Sequence, residues 1–175
     1  NALEIASGTG QHIVELAAAV PDLIWQPSDI DETRLNSITS RSLAKQLPNL
    51  LPPIRLDVTD KGWSAFCPNQ DLILLVNLLH LVSEAEVKAI ISGISQSLAG
   101  KGRCVIYGPF MRNGVLSISG DQAFHQSLIE ADPDIGYKDD AWMLDLFRQQ
   151  SLKIIKILEM SANNLAFVME KGNTN

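Results

Sequence analysis

Apolar positions along the chain fall into alternating strand-like and helix-like stretches. Leu3-Glu4-Ile5-Ala6-Ser7-Gly8-Thr9-Gly10 reads as a short buried strand running into a tight glycine turn. The next segment, residues 11–20, places Ile13, Val14, Leu16, Ala17 and Val20 at helical spacing. A second apolar run, Leu23-Ile24-Trp25, leads to Asp29, and residues 32–46 predict a helix with Leu35, Ile38 and Leu43 inward, ended by Pro48, Pro52 and Pro53. A third strand is expected over 54–58. The almost wholly apolar stretch 71–76 has the character of a central parallel strand covered on both faces. Ser83 with Glu86 three residues on forms a capping-box pattern, opening a helix to about Ala99 that stops at Gly100-Lys101-Gly102, after which 103–107 reads as a fifth strand. Periodicity weakens from 108 to 139, although 121–131 fits a helix; so long a connection suggests an insertion on the substrate side. A last helix is expected over 140–150. The two strands that follow, 152–158 and 165–169, are joined by too few residues for a helical crossover and should pair antiparallel.

Seven strands alternating with helices predict one α/β domain over residues 1–175. Its sheet is expected to be mostly parallel with an antiparallel C-terminal strand pair, helices on both faces, and its ligand beyond the carboxyl ends of the strands. Composition agrees, since 46% hydrophobic and 19% charged residues in a 175-residue chain can build a single sizeable core. A formal net charge of −6 argues against a nucleic-acid partner held by a basic face. Cys67 and Cys104 lie outside any metal-ligand or redox spacing, so both read as structural and no metal site is expected. No apolar stretch approaches the ~18 residues that span a bilayer, and 72–81 is interrupted by Asn77 and His80. Without a basic-then-apolar leader either, the expectation is a cytoplasmic protein with no membrane partner.

The glycine turn narrows the chemistry. A dinucleotide fingerprint could begin at Gly8 and Gly10, but its third glycine position is Ile13, and there is no Tyr-x-x-x-Lys pair; a nicotinamide-dependent oxidoreductase is thereby disfavoured. No GxxxxGK[ST] triphosphate loop occurs. Leu-Glu-Ile-Ala-Ser-Gly-Thr-Gly instead resembles the first motif of class I S-adenosylmethionine (SAM)-dependent methyltransferases, an acidic residue followed by GxGxG, with Ala6 replacing the first glycine. More narrowly, that segment together with Trp-Gln-Pro-Ser-Asp-Ile-Asp, Leu-Asp-Val-Thr, Tyr-Gly-Pro-Phe and Ala-Asn-Asn-Leu resembles the DUF938 family, which includes the methyltransferase-like 26 proteins. The resemblance implies a Rossmann-like class I methyltransferase fold, SAM as cofactor and methyl transfer to an acceptor, read here as a small molecule. A SAM-binding regulatory module that transfers nothing is the alternative.

The resemblance also distributes roles. Glu4 would face the amino group of the methionine moiety or else cap the following helix, while Ala6, Ser7, Gly8 and Gly10 lie along the cofactor. Asp29 would hold the ribose, its bland alternative being a solvated turn residue. Asp31 is either a rival carboxylate or the N-cap of the next helix. Ile30 would pack on the adenine, Asp57 would receive the adenine amino group with Val58 offering its N–H, and Asn77 would lie beneath the sulfonium. Asp57 could equally close an Asx turn before Thr59. His80, Tyr107 and Asp121 are candidates to border the acceptor, with His80 or Asp121 as general base, though a histidine on an apolar stretch is commonly a packing residue. Arg112, His125, Asn163 and Asn164 could hold a polar substrate, and His12 could touch the cofactor carboxylate. Displacement at a sulfonium needs alignment rather than a protein nucleophile, consistent with the lack of any Ser/His/Asp or Cys/His set.

Overall fold

The computed structural model of the chain describes residues 1–116 and 118–172. The elements run β1 (Ala2–Ile5), α1 (Gln11–Ala19), β2 (Trp25–Asp29), α2 (Glu32–Lys45), β3 (Ile54–Arg55), β4 (Gln70–Val76), α3 (Glu84–Ser97), β5 (Leu98–Met111), α4 (Ser119–Ala131), β6 (Lys138–Asp139), α5 (Asp140–Gln149), β7 (Leu152–Glu159) and β8 (Asn164–Lys171). The strands form one sheet in the order β3-β2-β1-β4-β5-β8-β7, and the short β6 pairs with the end of β5. Pairing is parallel from β3 through β5 and antiparallel for β5 with β8 and β8 with β7. The expected architecture therefore holds, with β6 as an eighth strand.

The apolar run in β4 explains why the sheet lies between helices. Ile73 and Leu75 join the core packed with α3 and α5, whereas Leu72 and Leu74 pack on the opposite core built around Ile13, Val14 and Ala17 of α1 and Ile38 of α2. A strand with one solvated face would alternate polar and apolar residues; this one is covered twice. Ser83 and Glu86 close the expected capping box, the Glu86 carboxylate accepting the Ser83 N–H at 2.7 Å. α4 is different in kind, since it has no buried residue.

Several boundaries differ from expectation, among them the end of the fifth strand, which runs on to Met111 and leaves Tyr107 inside it because β8 pairs with it as far as Pro109. The third strand is only two residues long, because Pro52 and Pro53 precede it and the Asp57 carboxylate closes a turn onto Thr59 N–H at 2.9 Å; Asp57 and Val58 thus lie beyond the strand. The third helix stops at Ser97, and the glycine-containing segment expected to end it is instead the start of β5. There the β4–β5 register shifts, and a Cβ on Gly102 would stand 2.6 Å from the Gln70 carbonyl, so only glycine fits that close approach. The second strand begins at Trp25, the last residue of its apolar run. Among the described residues, no helix is long and apolar enough to cross a membrane, and no cluster of His, Cys, Asp and Glu could hold a metal ion.

Candidate functional site

At the carboxyl end of β1 the backbone turns through left-handed conformations at Ala6 (φ 53°), Gly8 (φ 57°) and Gly10 (φ 80°). β2 supplies several fastenings of this turn, and the Ser37 hydroxyl of α2 adds one to the Thr9 carbonyl at 3.0 Å. Ser7 N–H donates to the Ser28 carbonyl, and the Ser28 hydroxyl to the Glu4 carbonyl, both at 2.8 Å. Asp29, its side chain 1% exposed, accepts the Gly8 N–H at 2.9 Å on one carboxylate oxygen and the Asp31 N–H at 3.0 Å on the other, with the Arg34 guanidinium 3.7 Å away. Gly10 opens α1 against α2, where a Cβ would stand 3.0 Å from Ile38, so this glycine permits close helix packing.

Alanine is the odd residue in this turn. A non-glycine residue in the left-handed region costs about 1–2 kcal/mol, and Ala6 returns part of that by packing against the core. Ala6→Gly is expected to raise stability by about 1 kcal/mol in urea unfolding; a variant less stable than the parent would show that the methyl group's packing outweighs the strain.

The turn forms one wall of a cleft of about 310 Å³, lined also by Glu4, His12, Arg34, Asn77 and Leu81. Glu4, 2% exposed, is the electrostatic anomaly, for its Oε2 is buried with no hydrogen-bond partner. Burial pushes its carboxyl up to about 7, opposed in part by hydrogen bonding from Ser7. An ammonium entering the cleft would supply the missing partner and favour the ionised form. Asn77, directly after β4, is held at φ 54° with its N–H on the Tyr107 carbonyl at 2.9 Å, and it lines the same cleft.

Not every expected residue meets there. Asp57 lines a separate hollow of about 470 Å³ with Trp63 and Phe66, and its carboxylate is engaged by the Thr59 N–H and hydroxyl. Val58 is buried, Ile30 is 48% exposed at the tip of β2, and Asp31 caps α2 through the Arg34 N–H. Arg34 was missed by sequence reasoning, although its place three residues after a capping aspartate would have set it beside the β2 tip.

A second group lies past the end of β4. His80, in the helical turn Leu79–Leu81, is 7% exposed, and its ring lies edge-on to Phe124 of α4 at 5.8 Å and to Tyr137 at 6.0 Å. Its Nδ1 is buried without a partner. Burial first, and then the Lys138 charge, push its pKa down to about 4, so the imidazole is neutral at physiological pH. Around it a polar net ties α4 to the β7–β8 connection. The Tyr137 hydroxyl and the Asn163 side-chain amide donate to the two carboxylate oxygens of Asp121, at 3.2 and 2.8 Å, and the Asn164 amide donates to the Tyr107 hydroxyl at 2.9 Å. Arg112 reaches the Asn163 carbonyl at 3.1 Å, and the His125 Nδ1 accepts the Tyr137 N–H at 3.0 Å. Tyr137 and Lys138 carry no local signal in the sequence; only the pairing of β6 with β5 brings them here.

Known structures share this architecture. An O-methyltransferase family protein from Burkholderia thailandensis superposes with a TM-score of 0.85 at 14% identity, covering 99% of this chain and 51% of that one. An O-methyltransferase family 2 protein from Planctomyces limnophilus, in complex with apigenin, gives 0.81 at 17% identity over 97% and 50%. Human N-acetylserotonin methyltransferase in complex with SAM gives 0.80 at 12% identity over 98% and 47%. The chain spans about half the length of these proteins and shares their Rossmann-like methyltransferase fold. The family described as "Protein of unknown function (DUF938)" matches residues 1–171. With the match running over nearly the whole chain, the protein belongs to the DUF938 family.

Proposed function

We propose that this domain binds SAM in the cleft beside the glycine turn and directs methyl transfer to a hydroxyl of a small-molecule acceptor, with His80 as general base. The observation that carries the reading is the partnerless Oε2 of Glu4, buried at the end of a cleft whose other wall is backbone in left-handed turns. An amino acid moiety with a positive amino group fits that arrangement. The three similar folds are methyltransferases, one of them in complex with SAM and another with the flavonoid apigenin.

When bound, SAM supplies the activated methyl group; the residues of the chain supply alignment and proton transfer. Glu4 pairs with the amino group. The turn from Ala6 to Gly10 admits the cofactor close to the backbone, and Asn77 lines the same cleft. Asp29, buried with both carboxylate oxygens engaged, keeps the turn in shape, and Ile30 at the exposed tip of β2 is left for the adenine end. On the acceptor side, His80 Nδ1 takes the proton of the hydroxyl, which supplies that atom's missing hydrogen bond. Tyr107 and Asp121, both already hydrogen-bonded, position α4 and the β7–β8 connection rather than move the proton.

Calorimetric titration with SAM, S-adenosylhomocysteine and NADH tests the cofactor assignment. Micromolar binding of the two sulfur nucleosides alone is the expected result, and binding of NADH in their place would overturn it. Transfer of isotopically labelled methyl to a panel of hydroxylated aromatics then tests the reaction, and tight SAM binding with no transfer to any acceptor would make the domain a SAM-binding module.

A further inference from the structure

Lys138 is a buried cation whose position is not explained by an ion pair. Its side chain lies in β6, the residue is 5% exposed, and among the described residues no carboxylate lies within salt-bridge distance of its ammonium. Nζ donates instead to two carbonyls, those of Val82 and Gly136, each at 2.7 Å. Those carbonyls belong to two different segments, the end of the His80 turn and the loop before β6, and the Gly136 N–H closes the same junction by donating to the His80 carbonyl at 3.0 Å. The ammonium thus staples the end of the His80 turn to the loop before β6.

We infer that Lys138 is a positioning residue for the proposed reaction: its ammonium pins the His80 turn beneath the loop of residues 133–138, and its charge adds to burial in opposing protonation of the His80 imidazole. The inference rests on His80 serving as the base. Surrounding charges support it. α4 presents Asp121 and His125, but Asp121 is spent on Tyr137 and Asn163, and His125 accepts the Tyr137 N–H. α3 presents Glu84 and Glu86, the latter committed to the helix cap, and both favour the charged state of Lys138, against burial, which disfavours it. β5, which also touches the turn, brings Tyr107, whose hydroxyl is held by Asn164. Tyr137 packs on His80 as an uncharged ring, its hydroxyl pushed up to about 12 by burial and by Asp121. Lys138 is the fixed positive charge in this set, and a positive neighbour disfavours protonation of a histidine.

The test is an NMR titration of the His80 ring in the intact chain. His80→Gln identifies its resonances among those of the three histidines. In the parent the midpoint is expected near the value of about 4 that burial and Lys138 together impose. Lys138→Gln, which keeps amide donors for the two carbonyls but removes the charge, should raise that midpoint by about one unit. The acid limb of the kcat profile should move by the same amount, with the affinity for SAM unchanged. A folded Lys138→Gln protein with an unmoved His80 midpoint overturns the inference, since a merely structural lysine would give that result. Lys138→Met repeats the test if the glutamine variant does not fold. If neither folds, Lys138 serves the fold rather than the His80 ring, and the inference is overturned. A His80 that responds to Lys138 in a chain that binds no SAM would instead refute the proposed function and leave this coupling standing.

Discussion

Replacing Glu4 with Gln is expected to weaken SAM binding about 10- to 100-fold at pH 7.5 while making the ligand-free protein more stable. The first effect is the loss of a charge-assisted hydrogen bond in a buried site, worth about 1.5–3 kcal/mol. The second follows from proton linkage. Glu4 titrates at about 7 in the folded chain, against 4.5 without burial, so between those values the unfolded chain releases its proton more readily and stability falls as pH rises. Above pH 7 that loss amounts to about 3 kcal/mol, and glutamine removes it. Binding in the parent has the opposite pH dependence, because the ligand's ammonium needs an ionised partner. Affinity should rise up to about tenfold per unit from pH 5.5 to 7 and then level off, whereas the Gln variant should be flat over that range. Calorimetry across pH, alongside thermal unfolding without ligand, reads both effects. A variant that is less stable and binds SAM as tightly as the parent would remove Glu4 from the site.

His80→Gln carries the other large expectation. Methyl transfer to a hydroxyl acceptor should fall by about 10²–10⁴ in kcat, the usual contribution of a positioned general base, with SAM affinity within about twofold of the parent. A loss in binding equal to the loss in rate would mark His80 as a packing residue. With its pKa near 4, the parent's kcat at saturating SAM should stay level from neutral pH down to about 5 rather than bend at 6.5, where an exposed histidine titrates. Stability carries the matching signature. Between 6.5 and 4 the unfolded chain takes up the proton that the folded imidazole refuses, so His80 withdraws stability as pH falls through that window, by up to about 3 kcal/mol. Glu4 acts in the opposite direction over an overlapping range, so the parent's stability should vary little between pH 5 and 6.5. Each single variant should restore the slope that its own residue had masked, to be seen in urea midpoints measured at half-unit steps.

How far the chain was legible in advance differs from element to element. β1, its glycine turn and α1 were readable because the information is local, a short strand of three apolar residues and one glutamate, two glycines and a 3.6-residue repeat. The Ser83–Glu86 cap was equally local, both partners lying within one helical turn. The length of β3 was not, for Ile54 to Val58 alternates as a longer strand would, and the turn closed by Asp57 on Thr59 competes with it. Asp29 was recognised as a carboxylate at a strand tip, but its hydrogen bonds to Gly8 and Asp31 become visible only when β1 and β2 are side by side.

The order of apolar and polar residues by itself determined the alternation of strands and helices, the antiparallel final pair and the place of the glycine turn, since each depends on contacts within a few residues. Only the tertiary structure decided that the Glu4 Oε2 would be left without a partner, that His80 would be neutral, and that a lysine 58 positions away would be packed against its turn. These are consequences of desolvation and of charges that approach through space. Both depend on which distant segments exclude water from a side chain, and that is set by how the sheet stacks its strands.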